Sequence, residues 1–158
     1  MGLRKILTDK EPALHKTCRP VEKFDWRLHK LLDDMRDTLI DSNGVGLAAP
    51  QVGILRRVVL VDTGEEILEL VNPVMLETSG EQVGAEGCLS VPGKYGLVKR
   101  PMIAKVRAQD RNGDWYEVEG EELIARCFCH ELDHLDGILY TEVMERFLTE
   151  DELVYDED

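Results

Sequence analysis

The sequence predicts an α+β fold: antiparallel strands packed around one central helix, an N-terminal helix before them and a short C-terminal tail after. Three observations carry this. Apolar residues recur at helical spacing between Leu28 and Ile40. Strand-like runs lie between Arg57 and Val118 and include the hairpin signal Asn112-Gly113. A second amphipathic stretch follows from Leu123 to Leu135. Strands in succession followed by a single helix argue for segregated layers rather than repeating strand–helix–strand units.

The elements follow in order. Pro12 and Pro20 keep the first segment irregular. Asp25 is suited to cap a helix whose apolar side is Leu28, Leu31, Leu32, Met35, Leu39 and Ile40. Asn43-Gly44 stops that helix, and Gly46 adds a flexible joint. Arg57 to Asp62 reads as a buried strand, because Val58, Val59, Leu60 and Val61 are all apolar. Ile67 to Met75 reads as one or two short strands around Pro73. Gly80, Gly84 and Gly87 predict a mobile loop before Cys88. Met102 to Gln109 leads into the turn Asp110-Arg111-Asn112-Gly113, so Trp115 to Val118 should pair back. Glu121 or Glu122 opens the second helix, whose apolar side is Leu123, Ile124, Cys127, Phe128 and Leu135, and Gly137 ends it. The tail from Thr141 has room for a short helix, and Asp156-Glu157-Asp158 is expected to fray.

A chain of 158 residues suits one domain, taken as 1–158. Hydrophobic residues make up 43% and charged residues 32%, ordinary for a globular protein. The net charge of -13 repels phosphate backbones and anionic membranes, so neither direct nucleic-acid binding nor membrane contact is expected. The opening residues lack the apolar run of a secretory signal, and no stretch is long enough to span a bilayer; a cytoplasmic location is expected. Cys127 and Cys129 are too close to form a disulfide readily. With Cys18 and Cys88 they read better as one metal ligand plus buried thiols.

The chemistry is concentrated in His130-Glu131-Leu132-Asp133-His134. Positions i and i+4 share a helix face, so His130 and His134 can grip one metal ion, and the central helix is expected to be metal-binding. Glu131 then stands beside the ion, placed to move protons on a bound water. A catalytic site needs a third protein ligand and one open position. Cys127, one turn before His130, and Cys88, distant in sequence, both qualify, and spacing alone leaves the choice open.

Two further motifs accompany the histidines in order: Gly44-Val45-Gly46-Leu47-Ala48-Ala49-Pro50-Gln51 and Glu86-Gly87-Cys88-Leu89-Ser90. This set resembles peptide deformylase. The likeness extends to Pro12-Ala13-Leu14, Val91-Pro92-Gly93 and His134-Leu135-Asp136-Gly137, nearly the whole chain. The resemblance implies a hydrolase that removes the N-formyl group from polypeptides beginning with formylmethionine. It implies Cys88, His130 and His134 as ligands of one divalent ion, with Fe(2+) favoured and Zn(2+), Ni(2+) or Co(2+) acceptable to the same donors. It assigns Glu131 as general base, and the Gln51 amide and the Leu89 backbone N–H as donors to the reacting oxygen. Val45, Gly46, Leu123 and Cys127 match substrate-pocket positions, although core packing is the plainer reading of Val45, Leu123 and Cys127.

Glu86 and Arg100 are suited either to an ion pair supporting the Cys88 segment or, equally, to a solvated surface pair, and Asp133 and Asp136 are placed to orient the histidines or to face solvent. Some members of the family carry a basic C-terminal helix for ribosome docking. Here Glu150, Asp151, Glu152, Asp156, Glu157 and Asp158 make the tail acidic, so only weak or differently mediated ribosome association is expected. Two rival readings are an internal-peptide metalloprotease and a module whose metal is structural. The second would close the site with Cys127, giving two sulfur ligands rather than one.

Overall fold

The computed structural model describes residues 2–156. After a 3-10 turn at Pro12–His15, helix α1 spans Trp26–Ser42. The Asp25 side chain accepts the Arg27 N–H and caps its start, and Asn43 ends it in the left-handed conformation at φ 57°. Leu28, Leu31, Leu32, Met35 and Leu39 are buried at i, i+3, i+4 spacing, each stabilising the fold by roughly 1.5–3 kcal/mol relative to exposure. Ile40 departs from the expected apolar side: it is 58% exposed, one residue past the buried stripe.

The strands are β1 Gly46–Ala48, β2 Val58–Asp62, β3 Ile67–Ser79, β4 Gln82–Cys88, β5 Val91–Arg100, β6 Ile103–Gln109 and β7 Trp115–Glu121. Helix α2 is Leu123–Leu135, followed by α3 Tyr140–Val143, β8 Arg146–Phe147 and α4 Glu150–Asp156. One antiparallel sheet runs in the order β1-β2-β3-β6-β7, and a second in the order β4-β5-β8.

β2 explains why its four apolar residues stand in a row. Val59 and Val61 face the cluster formed with Ala125, Phe128 and Leu135 of α2. Val58 and Leu60 face the cluster formed with Leu28, Leu32, Met35 and Leu39 of α1. The larger sheet is thus covered by a helix on each face, and a strand buried on both sides needs no polar alternation.

Four expectations change. Ile67 to Met75 is not a pair of short strands but part of the long β3. Its register slips between Val71 and Val74, where Asn72 adopts φ 51°. The Asn72 side chain stabilises this bulge by bonding both the N–H and the carbonyl of Val21, at 2.8 and 2.9 Å, and Gln109 Oε1 at 2.8 Å. Gly46 opens a strand rather than serving as a joint. The glycine-rich segment before Cys88 is strand β4, zipped to β5 from Gln82↔Arg100 to Cys88↔Val91. Near the end, Asp156 closes a helix rather than fraying; Glu157 and Asp158 lie outside the described residues.

Candidate metal centre

α2 carries His130 and His134 on one face, buried at 7% and 0% exposure. Both ends of this helix are fixed. At its C-terminus the Leu135 carbonyl accepts from Cys18 N at 2.8 Å and from Arg57 Nη1 at 3.1 Å, which satisfies a group the helix leaves unpaired. Gly137 turns away at φ 77°, and a Cβ there would meet the His15 backbone at 2.7 Å, so both conformation and space demand glycine.

The two Nε2 atoms lie 3.2 Å apart, and Cys88 Sγ, at the end of β4, lies 3.4 Å from His134 Nε2. All three ligand atoms fall within 4.8 Å of one another. Tetrahedral coordination with ordinary metal–nitrogen and metal–sulfur bonds would separate two nitrogens by about 3.3 Å and a nitrogen from a sulfur by about 3.6 Å. The donor set therefore fits a single small cation, as three lone-pair donors converging without one would not otherwise be favoured. Burial pushes the His134 imidazolium well below its ordinary pKa, leaving the neutral ring that coordination requires.

The surrounding polar network centres on Glu86. His130 Nδ1 lies 2.6 Å from Glu86 Oε1, an acceptor that favours the proton on Nδ1 and so turns Nε2 toward Cys88 and His134 as the coordinating atom. Arg100 grips the same carboxylate through both oxygens, at 2.6 and 3.1 Å. Arg126 Nη1 adds a bond at 2.8 Å to Glu86 Oε2 and one at 3.1 Å to the Val98 carbonyl. Burial alone would raise the Glu86 carboxyl, but the bonds from His130 and Arg100 overcome it and hold the pKa at about 2. The expected Glu86–Arg100 pair is thus present and buried. Asp133 and Asp136 do not orient the histidines: Asp133 accepts from Arg100 at 2.8 Å and Asp136 from Arg57 at 3.1 Å.

Glu131 is 3% exposed, and its Oε1 has no hydrogen-bond partner among the described residues, while Oε2 lies 3.9 Å from His130 Nε2. Burial pushes its carboxyl up to about 7. Gly46 makes room for it: a Cβ at that position would fall 2.6 Å from both Glu131 Oε2 and Cys127 Sγ. Burial also pushes the Cys127 thiol well above its ordinary pKa, so it stays protonated, and it is not among the donors that gather.

Gln51 is 1% exposed in the 3-10 turn Ala49–Val52. Its Oε1 accepts the Ala48 N–H at 2.9 Å, while Nε2 faces Ser90 Oγ at 3.1 Å and Cys88 Sγ at 3.6 Å. It therefore caps a turn and points a donor at the candidate centre at once. Leu89 belongs to the turn between β4 and β5, its side chain against Gly44 and the α1 core. Val45 and Leu123 are 37% and 56% exposed, so core packing does not account for them; Cys127 is buried.

Sequence reasoning missed Arg126, Ser90 and Tyr140, whose ring stacks 6.2 Å from that of His130. Arg126 did leave a signal: a lone cation four residues before His130, within the apolar run Leu123–Cys129.

The polypeptide deformylase family model matches residues 3–149. The chain belongs to the peptide deformylase family. A peptide deformylase of Caldicellulosiruptor bescii is 53% identical over 97% of this chain and 92% of its own length. One from Agathobacter rectalis is 54% identical over 92% of each. The crystal structure of peptide deformylase from Thermotoga maritima superposes with a TM-score of 0.88 at 39% identity, covering 90% of this chain and 98% of that one. Members of this family are metal-dependent hydrolases that remove the N-formyl group from nascent polypeptides, and the gathered Cys, His and His side chains are of the kind such chemistry requires.

Proposed function

We infer that residues 1–158 act as one catalytic unit that hydrolyses the formamide bond of N-formylmethionyl polypeptides, with Cys88, His130 and His134 as metal ligands and Glu131 as general base. The observation that carries this is the buried, unpartnered Glu131 Oε1 beside three converging donors. A structural metal site has no use for such a carboxylate. A divalent ion held by the three ligands would lower the pKa of a coordinated water to near 7 and so supply the nucleophile. Glu131 would take a proton from the attacking water and return it to the amine as the formyl C–N bond breaks, giving formate and a free amino terminus. Burial raises this carboxyl above the usual carboxylate range, which suits it to hold the proton between the two transfers.

Charge that develops on the formyl oxygen is met by Gln51 Nε2 and the Leu89 N–H. Gln51 suits this role because the Ala48 bond has already fixed its amide, so little reorganisation is needed during reaction. The methionine side chain is taken by Val45, Leu123 and Cys127: two exposed apolar groups and one buried, neutral thiol. β1 is an outer strand of its sheet, and the peptide backbone adds to it alongside Gly46.

Fe(2+) is the proposed native ion, with Zn(2+), Ni(2+) and Co(2+) accepted by the same donors. The reaction is placed in the cytoplasm, where nascent chains are made; no helix among the described residues is long and apolar enough to cross a membrane. The acidic α4 offers phosphates nothing, so ribosome association through it is weak. Anaerobic purification with metal analysis, followed by assay of formate release from a formyl-Met dipeptide, tests the reading. One equivalent of metal and stoichiometric formate are expected. Cleavage of a blocked internal peptide with no formate would overturn it.

A further inference from the structure

The net charge of -13 is unevenly distributed. Residues 1–30 hold eight basic and four acidic side chains, whereas the rest of the chain holds 11 basic and 28 acidic ones. The fold gathers part of this basic excess into one groove of about 870 Å³, between the segment before α1 and the residues that follow the Gln51 turn. Arg4, Arg19, Lys23, Arg27 and Arg56 line it, against two carboxylates, Glu22 and Asp25. Asp25 is engaged as the cap of α1, and Arg4 is paired with Asp34.

Arg19, Lys23, Arg27 and Arg56 have no carboxylate partner among the described residues, in a chain where acids outnumber bases 32 to 19. Two of them are held side by side by the backbone. Arg19 and Arg56 form an isolated parallel bridge, with Arg19 N–H donating to the Leu55 carbonyl at 3.1 Å and Arg57 N–H to the Arg19 carbonyl at 3.0 Å. Adjacent like charges cost free energy unless an anion lies across them. Trp26 does not line the groove itself, but it is 68% exposed and its ring centroid lies 5.4 Å from the guanidinium of Arg27, which does, so the aromatic stands at the groove's edge. Unpaired cations along a groove and an exposed flat aromatic are the two components by which proteins hold single-stranded nucleic acid: charge for the phosphates, a ring for a base.

We propose that this groove docks the phosphate backbone of single-stranded RNA. The acidic remainder of the surface repels the same polyanion and so limits contact to this face. None of Gln51, Cys88, His130, Glu131 and His134 lines the groove, so a docked strand leaves the candidate centre open.

Anisotropy of a labelled oligouridylate, titrated with the metal-loaded full chain, tests this. With four phosphate contacts, affinity should fall about 50-fold between about 50 and 200 mM salt. Arg19→Gln/Arg56→Gln should halve the logarithmic salt slope, and Arg19→Lys/Arg56→Lys should retain it. Trp26→Ala should weaken binding and leave the slope unchanged. Lys94→Gln/Lys99→Gln, away from the groove, should behave as wild type. Formate release from a formyl-Met dipeptide should be unaffected in every variant, which separates this proposal from the assignment of the reaction. Absence of salt-sensitive binding would overturn the proposal, as would a slope untouched by the Gln pair. Competition by polyglutamate as strong as that by RNA would also overturn it, by assigning the groove to an acidic polypeptide.

Discussion

The imidazole of His130 and the carboxylate of Glu86 are bonded at 2.6 Å on the side of the ring away from Cys88, and Arg100 and Arg126 hold the same carboxylate. A single acid therefore orients the histidine and is shared by two buried guanidiniums, of which Arg100 has Asp133 as a second partner. Glu86→Gln keeps the shape and removes the charge. Metal affinity should fall about 10- to 100-fold, because the ring loses its orienting acceptor. Stability should fall by about 3–5 kcal/mol, because Arg126, at 6% exposure, loses its carboxylate partner and Arg100 keeps only Asp133. Chelator competition and denaturant unfolding measure the two effects. A variant with native metal affinity would show that Glu86 does not orient His130.

Gly46 faces Glu131 and Cys127 rather than open space. A Cβ at 2.6 Å from each, and at 2.9 Å from Glu131 Cγ, must displace both. Gly46→Ala should cost about 1–3 kcal/mol of stability by overpacking. It should also lower kcat on a formyl-Met dipeptide far more than it changes metal content, since the carboxylate moves while the ligands stay. Equal kcat for variant and wild type would mean that Glu131 tolerates displacement and is not the base.

These two residues also show how far the sequence could be read. The histidine pair, the cap at Asp25 and the doubly apolar β2 follow from periodicity and local chemistry, so they were legible. The Glu86–Arg100 pair was accessible because Glu86 stands within the Cys88 motif, and an arginine is the side chain that best holds a carboxylate in place there. The hairpin of β4 and β5 was hidden: glycines weaken the alternation that marks strands, and the pairing that orders Gln82–Cys88 is cross-strand, not local. The role of Gly46 was hidden for the same reason. It depends on a helix some eighty residues later in the chain, and no property of a glycine reports what stands opposite it.

Glu131→Gln preserves volume and removes the ability to accept a proton. It should retain the metal in analysis and lose about 10²- to 10⁴-fold in kcat, the usual share of general acid–base catalysis. The buried Oε1 position would then hold an amide or its carbonyl without a partner, so stability should change little. Turnover at the native rate would remove Glu131 from the reaction. Loss of metal along with activity would assign it to the binding of the ion instead.

Glu122 begins α2 in a backbone conformation that side chains rarely adopt, φ 55° and ψ -120°. Its surroundings impose this. The Glu122 N–H donates to the Met102 carbonyl at 2.8 Å, and the Glu122 carbonyl accepts from Gln82 Nε2 at 2.7 Å and from Arg126 N at 3.1 Å. The strand-to-helix corner is thus held by three bonds at the expense of strain of about 1–3 kcal/mol. Glycine adopts this region without a Cβ clash. Glu122→Gly should therefore raise thermal stability even though glycine loses more entropy on folding, with a net gain of about 1 kcal/mol. Thermal unfolding compared with Glu122→Ala, which keeps a Cβ, isolates the backbone term. The Ala variant should match wild type, and only the Gly variant should gain. If both gain equally, the relief comes from removing a carboxylate beside Glu121 and not from the corner's geometry.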